Sequence, residues 1–247
     1  MIETRTITTG DGEMGVVVSH PEGTGPFPVI LFFHHGPGLD DGSKQAIQLI
    51  SDAGYYVIAP DRYYRHGAFL TFDMRAMRSP DADPATAQLF GAAFSGTTDD
   101  LVERDVLTIL EVVGADPVAR AAPMGCIGYC IGARSVLRTL SAHPDVFAVG
   151  IALHPSFCAT DDDDSPHKDV AAFPGHLYVG IGALDEMQSA AVNAPLIEAV
   201  AVLGERGSVE VHEGANHGFA VPGHAYHEGA ADRSYEQALA LFAKALT

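Results

Sequence analysis

A cysteine, an aspartate and a histidine hold the chemistry legible in this sequence. Cys130 lies in Gly128-Tyr129-Cys130-Ile131-Gly132. Glycines two positions either side of a nucleophile let a chain turn sharply from strand into helix. Residues 123–129 form an apolar run that reads as a buried strand, and residues 131–140 carry apolar residues at helical spacing. This is the nucleophile-elbow pattern G-x-S-x-G with cysteine in the serine position. Such an elbow holds its side chain clear of the sheet, beside a helix N-terminus whose partial positive charge favours a thiolate. Asp185 follows a predicted strand over 176–182, and His217 follows one over 208–212. Both are loop residues at the carboxyl ends of strands, the edge where open α/β sheets bind ligands.

Each partner is needed. A thiol with a free pKa of ~8.5 is mostly protonated at neutral pH, and the His217 imidazole can take its proton to make the attacking thiolate. Asp185, or in principle the adjacent Glu186, would fix the tautomer of that imidazole and stabilise its charged form. Alone, a cysteine is most often a small buried residue, an aspartate a turn former, a histidine a satisfied side chain. Together, in the order nucleophile, acid, histidine, they point to acyl transfer. The oxyanion formed on attack needs two amides. One is that of Ile131, the residue after the nucleophile. The other comes from the turn His34-His35-Gly36-Pro37-Gly38 after an early strand, with Gly36 as candidate and the neighbouring His35 amide as alternative. The Gly-x-Gly there lacks the rest of a dinucleotide fingerprint.

The elements that must position these groups alternate along the chain. Two short strands over 4–8 and 15–19 flank the turn Gly10-Asp11-Gly12, and Val29-Ile30-Leu31-Phe32-Phe33 is continuously apolar, as expected of a strand buried on both faces of a parallel sheet. Helices are expected over 41–53, 99–113, 189–203 and 235–246, and further strands over 55–61 and 147–153. Residues 62–98, with Arg62, Arg65, Arg75 and Arg78 among scattered aromatics, read as a loop-and-helix excursion over the sheet edge, a usual place for substrate contacts. Alternating strands and helices imply one mostly parallel sheet covered on both faces. No repeat or composition break divides residues 1–247, so one domain is expected.

Composition sets the bounds. The net charge of −18 argues against nucleic acid and anionic membrane surfaces. No run of about 18 apolar residues suggests a membrane helix, and the polar start of the chain lacks a signal-peptide core, so a cytoplasmic location is expected. Three cysteines cannot all pair, which fits a reducing compartment, and Cys126 reads as a small buried hydrophobe. The run Asp161–Asp164 reads as a solvated loop. His212, His224 and His227 complete no zinc pattern, although His224 and His227 could share a helix face. No metal is expected.

Gly-Tyr-Cys-Ile-Gly around Cys130, Gly-x-x-Asp at Gly182 to Asp185, and Asn-His-Gly-Phe at 216–219 resemble the motifs of the dienelactone hydrolase family of α/β-hydrolases. The resemblance implies the α/β-hydrolase fold with a sheet of about eight strands. It implies no metal or organic cofactor, and hydrolysis of an ester or lactone through an acyl-cysteine intermediate. Family members acting on dienelactone carry a glutamate in the loop after the early strand. That position is His34 or His35 here, and His35 could be a second base, a hydrogen-bond donor or a packed side chain. They also carry an arginine shortly after the catalytic histidine, where this chain has Gly218-Phe219-Ala220-Val221-Pro222. An altered acyl pocket for an uncharged ester is therefore expected. Arg62, Arg65 or Arg78 from the excursion, with Tyr129 and Phe219, remain candidate substrate contacts. A thioesterase, or a thiol sensor or binding protein on the same scaffold, is the alternative. The expected partner is a small-molecule ester or lactone, and the expected state a monomer or homodimer.

Overall fold

The computed structural model describes residues 2–246. Its strands are β1 (Ile2–Thr9), β2 (Gly12–Ser19), β3 (Phe27–Phe33), β4 (Tyr56–Pro60), β5 (Ala119–Tyr129), β6 (Phe147–Leu153), β7 (His176–Gly182) and β8 (Gly207–His212). They form one eight-stranded sheet in the order β1-β2-β4-β3-β5-β6-β7-β8. β2 pairs antiparallel with β1 and β4, and every pairing from β4 to β8 is parallel. This is the α/β-hydrolase fold.

The helices are α1 (Asp41–Asp52), α2 (Pro84–Gly96), α3 (Asp99–Ala115), α4 (Ile131–Ala142), α5 (Ala194–Val202) and α6 (Glu228–Ala245). The apolar run of β3 shows why the sheet needs two layers of them. Successive side chains point to opposite faces. Val29, Leu31 and Phe33 join a core that includes Val102 and Val106 of α3, Val136 of α4 and Leu196 of α5. Ile30 and Phe32 join a second core with Ile47 of α1 and Phe242 of α6. Each such fully buried side chain stabilises the fold by about 1.5–3 kcal/mol.

Several boundaries differ from the sequence expectation for local reasons. Helix α5 starts at Ala194 rather than 189, because the preceding turn is held by side chains: Asp185 Oδ1 accepts from Gln188 N at 2.8 Å, and Asn193 Nδ2 donates to Gln188 O at 3.0 Å. Helix α6 starts at Glu228 rather than 235, capped where His227 Nδ1 accepts from Ala230 N at 3.2 Å. His227 is thus the cap and His224 lies before it, so the two do not share a helix face. The excursion between β4 and α3 contains α2, whose only buried residue is Ala93. No helix among the described residues is long and apolar enough to cross a membrane.

Candidate active site

Strand β5 runs straight into α4 through Cys130, whose φ of 56° and ψ of −119° bend the chain at a single residue. A non-glycine residue with this backbone stores strain that the surroundings must hold. The flanking glycines allow it. A Cβ on Gly128 would meet Gly132 O at 2.2 Å, and one on Gly132 would meet Phe33 O at 2.3 Å. The strand-to-helix crossing therefore presses backbone against backbone, and Cys130 N donates to Leu153 O at 3.0 Å to fix the turn against β6.

Loops after β7 and β8 bring the other two residues in. His217 Nδ1 donates to Asp185 Oδ2 at 2.5 Å, and the Asp185 side chain is 1% exposed. Burial raises the Asp185 pKa, but the bond from His217 and the amides of Gln188 and Met187 outweigh it and hold the carboxylate below its ordinary range. Burial lowers the His217 pKa, and the bonds to Asp185 and Cys130 more than reverse that, raising it to about 10. For Cys130, burial pushes the thiol up, while the His217 imidazole and the Ser156 hydroxyl bring it down to about 7. Both shifts favour the thiolate–imidazolium form of the pair, the thiolate being the nucleophilic state of a cysteine.

Two neighbours of this pair follow β6. Ser156 Oγ lies 3.4 Å from Cys130 Sγ and 3.5 Å from His217 Nε2, so its hydroxyl touches both side chains. His154 is fully buried, its ring 5.0 Å from that of His217 in an edge-to-face arrangement, and neither ring nitrogen has a hydrogen-bond partner. Burial and the nearby His217 charge hold its pKa well below the usual histidine value, so the ring is neutral packing.

The turn after β3 is tied down by His34. Its Nδ1 donates to His35 O at 2.7 Å and its Nε2 accepts from Arg62 N at 3.2 Å. Burial pushes its pKa down to about 3, so it is a neutral clamp rather than a base. Gly38 N also donates to His35 O, at 3.1 Å. Since the two ends of a trans peptide point opposite ways, holding His35 O aims the Gly36 N–H away from the clamp. The Gly36 carbonyl is taken by Tyr63 Oη at 2.9 Å. His35 itself places Nε2 3.0 Å from Asp40 Oδ2, and Asp40 also caps α1. Ile131 opens α4, whose first turn has no side-chain cap to claim its amides.

Residues 14–246 match the dienelactone hydrolase family. The chain belongs to that family. It is 28% identical over 192 residues to Dienlactone hydrolase 1 of Gibberella moniliformis, covering 78% of this chain and 68% of that protein. Among solved structures it resembles a dienelactone hydrolase-like promiscuous phosphotriesterase from metagenomic libraries (19% identity, TM-score 0.74, 100% and 99% of the two chains). It also resembles a dienelactone hydrolase from Anabaena variabilis (13% identity, TM-score 0.70, 100% and 99%). These likenesses are of fold. As a member of the family, the chain is a hydrolase.

The remaining candidates within this dienelactone hydrolase family member separate cleanly. Arg65 is spent on Asp11 and Asp105 at 2.8 Å each, with its guanidinium 4.3 Å from the centroid of the Tyr64 ring. Arg78 lies on an exposed single turn after β4 and Arg75 just before it. Tyr129 is buried and bonds Tyr235 Oη at 2.9 Å, and Phe219 is buried against the rings of His154 and His212. None of these five is brought to the thiol. Arg62 is 8% exposed, its Nη2 3.4 Å from Thr97 O and its buried Nε unpartnered. It borders a cleft of about 340 Å³ beside Ile131, whose other charged residues are Asp99, Asp100, Arg134 and Asp164, Arg134 being paired with Asp99 at 2.7 Å. Among the described residues no three His, Cys, Asp or Glu side chains gather as metal ligands.

Proposed function

We propose that this chain, working as one domain, hydrolyses a carboxylic ester or lactone through an acyl-cysteine intermediate. The observation that carries the reading is the chain of contacts from Asp185 through His217 and Ser156 to a cysteine held on a strained elbow. In the reading, the Cys130 thiolate attacks the carbonyl carbon and a C–S bond forms. The Gly36 and Ile131 amides hold the resulting oxyanion. Collapse breaks the C–O bond, and the leaving alkoxide takes its proton from the His217 imidazolium. Water then attacks the thioester as His217 accepts its proton. The C–S bond breaks, and the carboxylic acid and the thiolate–imidazolium pair are released. Asp185 keeps the imidazole in the right tautomer throughout.

Two comparisons support the chemistry from outside: the family match and the similarity to a curated dienelactone hydrolase. The test is hydrolysis of a dienelactone and of a short p-nitrophenyl ester by the purified protein, with Cys130→Ala alongside. Turnover lost by at least about 10³-fold in the variant is expected. Equal turnover by both proteins would remove Cys130 from the reaction. Cys130-dependent alkylation without hydrolysis of any ester, lactone or thioester would leave a thiol sensor as the better reading.

A further inference from the structure

Four phenylalanines link end to end around the nucleophile. The Phe72 and Phe90 ring centroids are 5.1 Å apart, those of Phe90 and Phe94 5.4 Å, and those of Phe94 and Phe157 6.3 Å. The two middle rings stand against the turn after β3, where a Cβ placed on Gly36 would lie 3.8 Å from the Phe94 ring and 3.9 Å from the Phe90 ring, and Phe72 N at one end donates to Pro37 O of the same turn at 2.9 Å. The other end is Phe157, next in sequence to the Ser156 that touches Cys130 Sγ at 3.4 Å. Since β5 lies between β3 and β6 in the sheet, rings reaching from the β3 exit to the β6 exit span the mouth in front of Cys130.

Two features make this more than incidental packing. Phe157 is 47% exposed and sits at φ 56°, a conformation a bulky residue adopts only where something holds it. Arg134 Nη1 donates to its carbonyl at 2.5 Å and Gln188 Oε1 accepts from its amide at 3.3 Å. An exposed aromatic ring is thus displayed at some conformational cost. Second, Phe90 and Phe94, one helical turn apart on α2, are only partly buried, so the rings retain open apolar surface.

We propose that this aromatic arch is the acyl subsite, and that the acyl group it takes is aromatic or otherwise apolar and uncharged. The inference rests on the ester-hydrolase reading. It adds which end of the substrate goes where. His217 must reach the leaving oxygen, and it comes from the β8 side of Cys130, so the leaving group faces that side. The acyl group then extends toward β3, under Phe90 and Phe94. Ring-on-ring contact contributes beyond area burial, and a group bearing a carboxylate would lose hydration there with no free cation on the arch to replace it.

The experiment reads Cys130 directly, without turnover. Rates of alkylation are compared for N-benzyl iodoacetamide, iodoacetamide and iodoacetate. The wild type is expected to react about tenfold faster with the benzyl reagent than with iodoacetamide, and slowest with iodoacetate. The same ratios measured on free cysteine normalise intrinsic reactivity. In Phe157→Ala and Phe94→Ala the normalised benzyl preference should fall about threefold or more. Equal normalised rates for the two neutral reagents would overturn the proposal. A preference for iodoacetate would too, and would hand the subsite to Arg62. Hydrolysis of simple esters together with either result would leave the ester reading intact, so the two failures are separable. Benzyl preference without any hydrolysis would keep the aromatic subsite and sink the ester reading.

Discussion

Helix α4 starts directly after Cys130 and α2 lies over the Gly36 turn, and they are built in opposite ways. α4 buries eight of its twelve residues, and its first glycine is pressed against the carbonyl of Phe33. α2 buries one residue of thirteen and leaves Leu89 39% exposed. The first is fixed by backbone contacts and has almost no freedom to change. The second is held by a few ring contacts and can vary with little cost to the fold. On the proposed roles, reaction geometry resides where sequence is constrained by packing, and acyl choice where it is not.

The comparison is most sharply broken at Gly132. A methyl there would meet backbone atoms at 2.3 Å and 2.7 Å, so Gly132→Ala is expected to destabilise the protein by about 3 kcal/mol. For a chain of this length that lowers Tm by about 6–12 °C, readable by calorimetry, with activity lost as the elbow shifts. An unchanged Tm would show the elbow to be looser than its contacts.

Intermediate effects belong to Ser156, which is near the elbow but on a loop. In the proposed reaction Cys130 acts as the thiolate, so the rate of an early turnover should fall as pH drops through about 7. It should hold until His217 loses its proton near about 10. Ser156 donates to the thiolate, so Ser156→Ala removes support for the charged form and raises the thiol pKa. The acid limb of the pH–rate profile should move up by about half to one unit, the worth of one hydrogen bond. A limb that stays in place would make Ser156 a bystander.

At the mild end lies Leu89→Ser on the exposed side of α2. Its effect on stability should stay within about 0.5 kcal/mol, a Tm change of under about 2 °C. A larger loss would mean that α2 is anchored more like α4 than its exposure indicates.

The same division explains what the sequence disclosed. Cys130 and Asp185 each follow a strand with a clear apolar run, His217 follows the alternating strand Gly207–His212, and glycine spacing marks the elbow. Ser156 was invisible because its place depends on the path of residues 154–157, where His154 and Phe157 both take positive φ of 38° and 56°. No residue-type pattern announces a left-handed histidine or phenylalanine. Helix α2 was hard to delimit since Ala, Leu, Phe and Gly surround it without a polar stripe, so the 3.6-residue period has little to act on. The start of α6 carries little pattern for a related reason: after Glu228 its first turn is Gly229, Ala230 and Ala231, capped by a histidine ring, which is not a usual cap. Arginines 65, 75 and 78 attracted notice by charge, but the charge of Arg65 is consumed by Asp11 and Asp105.

The hydrogen bonds from Arg62 N to His34 and from Tyr63 Oη to Gly36 O have a bearing on inheritance and engineering. They stitch the loop proposed to steady the oxyanion to the first residues of the excursion that carries Phe72, Phe90 and Phe94. A recombinant that exchanges residues 62–98 alone keeps the main-chain bond from residue 62 to His34 but loses the hydroxyl on Gly36 O wherever the relative lacks a tyrosine at 63. The transferable block is residues 34–98, clamp, loop and three of the four rings together, with Phe157 left on the loop after β6. Swapped whole between relatives it should retune substrate preference while leaving the elbow and its two partners as they stand.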